Sequence, residues 1–341
     1  MKILVTGGAG FIGSALVRKA ILNGHCVVNI DSLTYAACTK NLEDLSNSEQ
    51  YFFEKIDIRC STAISEVLNK YKPDAIMNLA AESHVDRSID EPSNFIQTNI
   101  VGTYNLLECS RNYWKRKGED KNFRFLHVST DEVFGSANNN ELFKEDTSYM
   151  PNSPYAASKA SSDHLVRAWY KTFNLPTLVT HCSNNYGPYQ FPEKLIPLII
   201  TNAIEGRNLP IYGNGKNSRD WLHVEDHADA LLLVLAKGTV GKSYNIGANN
   251  EFENIDLVKK ICEILDKEIP RKKSYSNLIT FVDDRPGHDF RYAIDASRIN
   301  KELKWSALIN FEIGLKKTIN WYIANRDWWE TLKKRFETNK R

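Results

Sequence analysis

Six cysteines in 341 residues are too few and too scattered to staple a fold. They stand at positions 26, 38, 60, 109, 182 and 262. None forms a Cys-x-x-Cys pair or lies at zinc-ligand spacing from a histidine pair. A disulfide framework and a metal site are therefore not expected; buried free thiols in a reducing compartment are. A long apolar run is missing too, since the longest, Ala230 to Ala236, reaches about a third of a membrane span. The N-terminal Met-Lys-Ile-Leu-Val-Thr-Gly-Gly is too short in apolar residues for a signal-peptide core and runs straight into glycines. The chain reads as cytoplasmic, with no membrane partner. Charge of one sign is lacking as well. Lys and Arg number 44 against 42 Asp and Glu, a net +2 that argues against nucleic acid as a partner. Any anion site must be local. Repeats and low-complexity segments are absent.

What is present is ordinary globular material, 42% hydrophobic and 25% charged, enough for one large domain or two modest ones. Apolar or β-branched runs over Lys2–Thr6, Cys26–Asp31, Tyr51–Ile58, Asp74–Ala81, Phe123–Thr130 and Thr177–Ser183 predict strands. Between them, 3.6-residue spacing predicts helices over Phe11–Asn23, Thr62–Tyr71, Asn94–Lys115 and Tyr155–Phe173. Nearly unbroken apolar strands alternating with helices imply an α/β fold: a doubly wound parallel sheet of Rossmann type, covered on both faces. Its ligand crevice lies at the carboxyl ends of the strands. Residues 1–185 read as the dinucleotide-binding domain, with a strand, helix and strand in 221–248 rejoining its sheet. After Asn184 the pattern loosens, and prolines 188, 192, 197 and 210 crowd together. Residues 186–220 and 249–330 read as a smaller C-terminal lobe. The basic tail Lys333–Arg341 reads as solvated surface, and the loop near 136–146 as short.

Thr6-Gly-Gly-Ala-Gly-Phe-Ile-Gly13 follows the first strand and opens the first helix. A side chain at Gly7 would obstruct the turn, one at Gly10 would block a pyrophosphate, and Gly13 lets helix pack on sheet. The helix N-terminus offers free N–H groups to phosphate. Asp31, ending the second strand, can accept from an adenosine ribose and would repel a 2′-phosphate, so the cofactor expected is NAD.

Tyr155-Ala-Ala-Ser-Lys159 sets a phenol and an ammonium one helical turn apart. The ammonium and a positively charged nicotinamide would depress the phenol's pKa and let it act as a base. Ser129-Thr130-Asp131-Glu132 places two adjacent carboxylates at the end of the fifth strand, where this fold puts chemistry. Asp131 could cap a helix. Beside the other motifs, an acid–base pair in which one carboxyl stays protonated is the better reading.

Together these residues resemble the extended short-chain dehydrogenase/reductases and, within them, the dTDP-glucose 4,6-dehydratases. The likeness covers nearly the whole chain. It rests on Thr6–Gly13, Asp31–Tyr35, Leu79–Ser88, Ser129–Gly135, Tyr155–Lys159, Asn184–Pro188, Pro192–Leu195, Arg219–His227 and Asp284–Asp289. The resemblance implies that Tyr155 takes the C4 hydroxyl proton of a nucleoside-diphosphate-hexose as NAD takes the C4 hydride, with Thr130 polarising that oxygen. Glu132 then removes the C5 proton, Asp131 protonates the departing C6 hydroxyl, and the hydride returns to C6. Lys159 completes the catalytic set. The cofactor contacts implied are Gly7, Gly10, Phe11, Ile12, Gly13, Asp31, Ser32, Leu33, Thr34, Asp57, Ile58, Leu79, Ala80, Ala81, Thr98, Tyr155, Lys159 and Asn185. The substrate contacts implied are Ser83, Thr130, Asn184, Lys194, Leu195, Pro210, Ile211, Tyr212, Arg219, Asn254, Asp284, Arg285, Pro286, Gly287 and His288. Arg219 and Arg285 are the natural partners of the diphosphate. Ala36-Ala-Cys-Thr-Lys40 stands where such chains carry a glycine, which leaves the adenosine-side loop open.

His84, His223 and His227 read as structural, and the chemistry needs no metal. Two long helices, 94–115 and 155–173, suggest a homodimer through a four-helix bundle, with Leu165, Val166, Trp169 and Tyr170 as an apolar stripe. The rivals are a UDP-glucose 4,6-dehydratase, a nucleotide-sugar 4-epimerase, and a non-catalytic NAD(H)-binding sensor. The epimerase has no need of Asp131 and Glu132; a sensor should have lost part of the Tyr155, Lys159 and acidic set.

Overall fold

The computed structural model describes residues 1–138 and 141–339. The 136–146 loop and the basic tail fall partly outside those residues, at Asn139–Asn140 and Lys340–Arg341.

The apolar runs of the first half fold as β1 (Lys2–Thr6), β2 (Cys26–Asp31), β3 (Tyr51–Lys55), β4 (Ala75–Asn78), β5 (Arg124–Thr130) and β6 (Thr177–Cys182). β3 and β4 stop earlier than their apolar runs. Asp57 turns back to accept from the Arg59 amide at 2.8 Å, and the amides of Leu79 and Ala80 are captured by Thr6 Oγ1 at 3.1 and 3.0 Å. Between the strands lie α1 (Phe11–Leu22), α2 (Ser61–Tyr71), α3 (Val85–Asp90), α4 (Pro92–Phe95), α5 (Thr103–Arg116) and α6 (Pro154–Phe173). The helix expected over 94–115 is thus a composite, in which one π-helical stretch, Ile96–Gly102, joins α4 to α5. Such stretches gather at functional sites.

The chain continues through β7 (Asn184–Tyr186), α7 (Leu195–Ile204), β8 (Leu209–Tyr212), β9 (Ser218–His223), α8 (Val224–Lys237), β10 (Ser243–Ile246) and β11 (Glu251–Glu253). It ends with α9 (Asn254–Glu268), β12 (Ile279–Val282), β13 (Arg291–Tyr292), α10 (Ser297–Leu303), α11 (Phe311–Ala324) and α12 (Arg326–Asn339).

Seven parallel strands form the main sheet in the order β10-β6-β5-β4-β1-β2-β3. Alternate residues feed opposite faces, as the two-residue period of a strand demands. Ile3 and Val5 join Leu16, Val17, Leu231 and Leu235 in one core; Leu4, Val28 and Ile76 join Ile64, Leu68 and Leu106 in another. The order reverses between β1 and β4, which opens the crevice there.

Of the elements expected in 221–248, only the last strand joins this sheet. β10 pairs with β6, whereas β9 lies in a separate four-stranded sheet with β7, β11 and β13. β10 occupies the free edge of β6, and the buried Arg219 and Asp220 of β9 find their polar partners in the second lobe, at the Asp289 carbonyl and the Ala248 and Asn250 amides. β8 pairs with β12 alone. A third core, with Ile199, Ile200, Leu257, Leu315, Tyr322 and Trp329, fills the space among α7, α9, α11 and α12. Trp329 is fully buried, so α12 is packed structure. No helix among the described residues is long and apolar enough to cross a membrane. All six cysteines are free, three buried, two half-buried and Cys60 exposed.

Leu231 sits fully buried where α8 packs on α1. Leu231→Ala is expected to lower stability by about 2–5 kcal/mol in denaturant unfolding. A loss below about 1 kcal/mol would show that α8 is not part of the main core.

Candidate active site

The glycine turn is shaped by contacts that exclude side chains. Gly7 has φ +71°, and a Cβ there would lie 2.8 Å from Ala80 Cα. At Gly13 it would lie 2.1 Å from the Gly7 carbonyl. At Gly10 it would meet only the Gly7 oxygen at 3.3 Å, so that face opens outward. Among the described residues, no side chain caps the N-terminus of α1. Asp31, 6% exposed, accepts from Ala9 N at 2.9 Å and Leu33 N at 2.8 Å. Burial pushes its carboxyl up, and those two amides oppose the rise. The loop after Tyr35, which lacks the usual glycine, docks all the same. Cys38 N and Asn41 Nδ2 both donate to Ala9 O, and Trp328 Nε1 of α12 donates to Asn41 Oδ1 at 2.9 Å.

At the end of β5, Thr130 Oγ1 accepts from Glu132 N and caps the short turn that follows, so Asp131 is not the cap. Asp131 is 1% exposed. Its Oδ1 accepts from Thr130 Oγ1 at 3.3 Å, and its buried Oδ2 has no protein partner. Burial, Glu132 and Asp220 push its carboxyl well above the usual range. Glu132, half-buried, lies 3.5 Å from the Tyr292 hydroxyl. Burial raises its carboxyl, and Arg285, Lys194 and Arg219 oppose the rise. Both carboxyls are thus raised by burial, Asp131 the more strongly, and only Glu132 has three cations opposing the rise.

Tyr155 and Lys159 are buried on α6. The sequence leads one to expect a depressed phenol. The protein groups do the reverse: burial, then Glu132 and Cys182, push Tyr155 well up, and the Thr130 hydroxyl opposes. Lys159 Nζ donates to Val128 O at 2.7 Å, and burial lowers its ammonium. The cation that would favour the phenolate must come largely from a bound nicotinamide.

A single cavity of about 740 Å³ joins the glycine turn, the β5 end, Tyr155 and the second lobe. It reaches all the expected cofactor residues except Leu33, and all the expected substrate residues except Asp284, Pro286 and Gly287. Those four lie behind its lining. Leu33 (φ +55°) serves through its backbone amide on Asp31. Asp284 holds His288 Nδ1 at 2.6 Å, which keeps the imidazole in the wall. A Cβ at Gly287 (φ +64°) would lie 2.8 Å from Asn152 O, so this turn packs inward; Pro286 belongs to the same turn.

Both arginines reach the cavity with their forks engaged. Arg219, stacked 4.2 Å over Tyr292, donates to the carbonyls of Ser218, Asp289 and Phe290. Arg285 pairs with Asp86 at 2.9 Å, and Tyr212 donates to the same carboxylate at 3.0 Å. Lys194 donates to Ser83 O at 2.7 Å. Buried Oδ1 atoms of Asn184 and Asn254 and Arg285 Nε have no protein partner and belong to the lining, as suits a polar ligand. Sequence reasoning missed Asp86, Glu193, Gln190 and Cys182 in this wall. Asp86 and Glu193 sit inside motifs already singled out; Gln190 and Cys182 carry no motif signal. His84 and His223 cap α3 and α8, and His227 Nδ1 meets Asn185 Oδ1 at 2.9 Å.

This arrangement fits a dinucleotide: a backbone cradle that side chains would fill, an uncapped helix end, and an acid at the second strand. The family model for GDP-mannose 4,6-dehydratase matches residues 4–318. A dTDP-glucose 4,6-dehydratase of Shigella flexneri is 59% identical over 345 aligned positions, 98% of this chain and 96% of its own. Crystal structures of two dTDP-glucose 4,6-dehydratases superpose closely. That of Streptomyces venezuelae, with NAD and dTDP bound, gives a TM-score of 0.90 at 43% identity, covering 97% of this chain and 100% of its own. That of Bacillus anthracis, in complex with NAD, gives 0.87 at 44%, covering 97% and 99%.

The buried Asp131 carboxyl makes a pH-dependent stability claim. Its folded pKa is raised, so folding is increasingly penalised as pH rises above its unfolded value of about 3.9. Asp131→Asn removes that penalty. Its gain in unfolding midpoint over the natural chain is expected to be near zero at pH 4 and to grow towards pH 8. A gain independent of pH would mean that Asp131 titrates normally.

Proposed function

The chain belongs to the GDP-mannose 4,6-dehydratase family, and on that footing we propose that it dehydrates dTDP-glucose to the 4-keto-6-deoxy sugar as an NAD-dependent hydro-lyase. The observation that carries this reading is the meeting of Asp131, Glu132, Thr130 and Tyr155 in one cavity with the glycine turn. An epimerase needs the phenol and the turn but no acidic pair.

The glycine turn, Asp31 and Thr98, with Lys159, would hold NAD, whose oxidised form would supply the hydride acceptor for C4 of the hexose and whose reduced form the donor for C6. Tyr155 takes the C4 hydroxyl proton while Thr130 steadies that oxygen. Glu132, whose carboxyl burial raises against the opposition of Arg285, Lys194 and Arg219, takes the C5 proton made acidic by the 4-ketone. Asp131, kept neutral by burial, gives its proton to the C6 oxygen, which leaves as water. The main-sheet half holds the dinucleotide, and the second lobe holds the nucleotide sugar through Lys194, Tyr212, Asn254, Arg285 and His288.

The assembly is a homodimer built on α5 and α6. Tyr104 is 45% exposed there, with its ring 5.8 Å from that of Trp169. Val166, by contrast, is fully buried within the chain, so the outward stripe is narrower than the sequence suggests. A cytoplasmic home is supported by six free thiols.

Glucose deuterated at C4 in the dTDP sugar is expected to give product with deuterium at C6; solvent hydrogen alone at C6 excludes the reading. Tyr155→Phe should lower kcat by about 10²–10⁴-fold. Measured side by side, UDP-glucose, which lacks the 5-methyl and carries an additional 2′-hydroxyl, should be turned over less efficiently by at least about 1–3 kcal/mol, the range for the missing methyl alone. Equal or better turnover of UDP-glucose overturns the thymidine assignment.

A further inference from the structure

Asp163 has no part in the chemistry above, yet its carboxylate is 3% exposed. It stands on α6 four residues beyond Lys159, itself four beyond Tyr155, so the three share one helix face. Its Oδ2 accepts from Ser129 Oγ at 2.7 Å and from the Tyr149 hydroxyl at 3.1 Å. Its Oδ1 lies 3.4 Å from His127 Nε2, and its Oδ2 lies 3.3 Å from His181 Nε2. The other nitrogen of His127 meets the Asn78 amide at 3.0 Å, and Asn78 Oδ1 accepts from Thr6 Oγ1 at 2.7 Å. A polar layer therefore runs under the site from the glycine turn to the residue preceding Thr130.

Lys159 poses the matching problem. It is 4% exposed, and its Nζ donates to the carbonyl of Val128, the neighbour of Ser129. A carbonyl does not neutralise an ammonium, and a buried charge without a counter-charge is heavily penalised. The groups facing it are Tyr155 and Asp163 from α6, His127 and Ser129–Glu132 from β5 and its end, and His181 and Cys182 from β6. Asp131 is held neutral, Glu132 faces the arginines and Lys194, burial pushes Cys182 up to about 12, and burial together with Lys159 pushes His127 down to about 4. Against the pull of burial, the two imidazoles hold the Asp163 carboxyl well below the usual range. Asp163 is also the foremost charge opposing the fall of the Lys159 ammonium.

We propose that Asp163 is a positioning residue for the Tyr155–Lys159 pair: it is the buried counter-charge that keeps Lys159 an ammonium, and the Ser129 and Tyr149 hydroxyls fix its carboxylate in place, Tyr149 itself being held by His181 Nε2 at 2.7 Å. This rests on the dehydratase reading of Tyr155 and Lys159. The layer carries no proton to the substrate; it sets the charge state of the group beside the base.

In Asp163→Asn the alkaline limb of kcat is expected to move to lower pH by about one unit or more, with KM for dTDP-glucose changed less than about threefold. Tyr149→Phe removes a hydrogen bond but leaves the charge, and should keep that limb in place. A limb unmoved in Asp163→Asn, or moved equally in Tyr149→Phe, overturns the proposal. A second readout needs no turnover. In Lys159→Met the His127 imidazole resonances should titrate at higher pH than in the natural chain, because the cation that repels its proton is gone; an unchanged titration means that Lys159 does not feel this layer and overturns the proposal even if Asp163→Asn fails to fold. If Tyr155→Phe turns over normally, the dehydratase reading has failed, and the His127 titration still decides the pairing.

Discussion

The end of β5 must keep two carboxylates out of water without losing the fold. Asp131 is buried with one oxygen unpartnered, and Glu132 follows it directly. Left to solvation alone, both groups would turn outward. They stay because the parallel sheet delivers the strand end to a crevice, and because the second lobe brings cations to meet it. Lys194 precedes α7, Arg219 comes from β9, and Arg285 follows β12. None of these elements belongs to the main sheet.

The second lobe is thus more than a lid of apolar contacts. It has a separate core built around Ile199, Leu257, Leu315 and Trp329, and β9, which adds Trp221 to that core, carries Arg219 buried. Arg219 spends its fork on three carbonyls and its face on Tyr292, so it contributes charge from a fixed place. Arg285 differs. Its partner Asp86 belongs to α3, at the rim of the main sheet, and Tyr212 shares that carboxylate. Arg219 thus has its donors on backbone carbonyls, whereas Arg285 reaches across the cavity to a carboxylate of α3.

Much of the main sheet was legible because strands buried on both faces read as unbroken apolar runs, and β1 and β2 have the bounds that their residues imply. The glycine turn was legible for the same kind of reason: each glycine answers a steric demand that can be stated without coordinates. The π-helical stretch at 96–102 was not, because helical periodicity over 94–115 hides a single added residue per turn. It matters, since Asn99 within it bonds both the Glu82 backbone and Ser158 of α6 and so fixes the helix that carries the base. β9 was misplaced because strand propensity does not say which sheet a strand joins. The members of 284–288 divide between wall and support, and only tertiary packing distinguishes Arg285 and His288 from Asp284 and Gly287.

How neighbouring carboxyls, both raised by burial, come to have different surroundings follows from the same geography. Adjacency alone is symmetric, since each carboxyl raises the other. The asymmetry comes from what lies beyond. Asp131 has Asp220 as its next charged neighbour, and β9 cannot place Arg219 without also placing Asp220, the residue after it. Glu132 has Arg285 and Lys194, which come from loops at the open side of the cavity. The strand that brings Arg219 also brings Asp220, whose charge adds to the rise at Asp131, while the loops at the open side of the cavity bring the cations that oppose the rise at Glu132. The different surroundings of the two carboxyls therefore follow from the register of β9 and from the loops of the second lobe, and not from the Asp-Glu dipeptide itself.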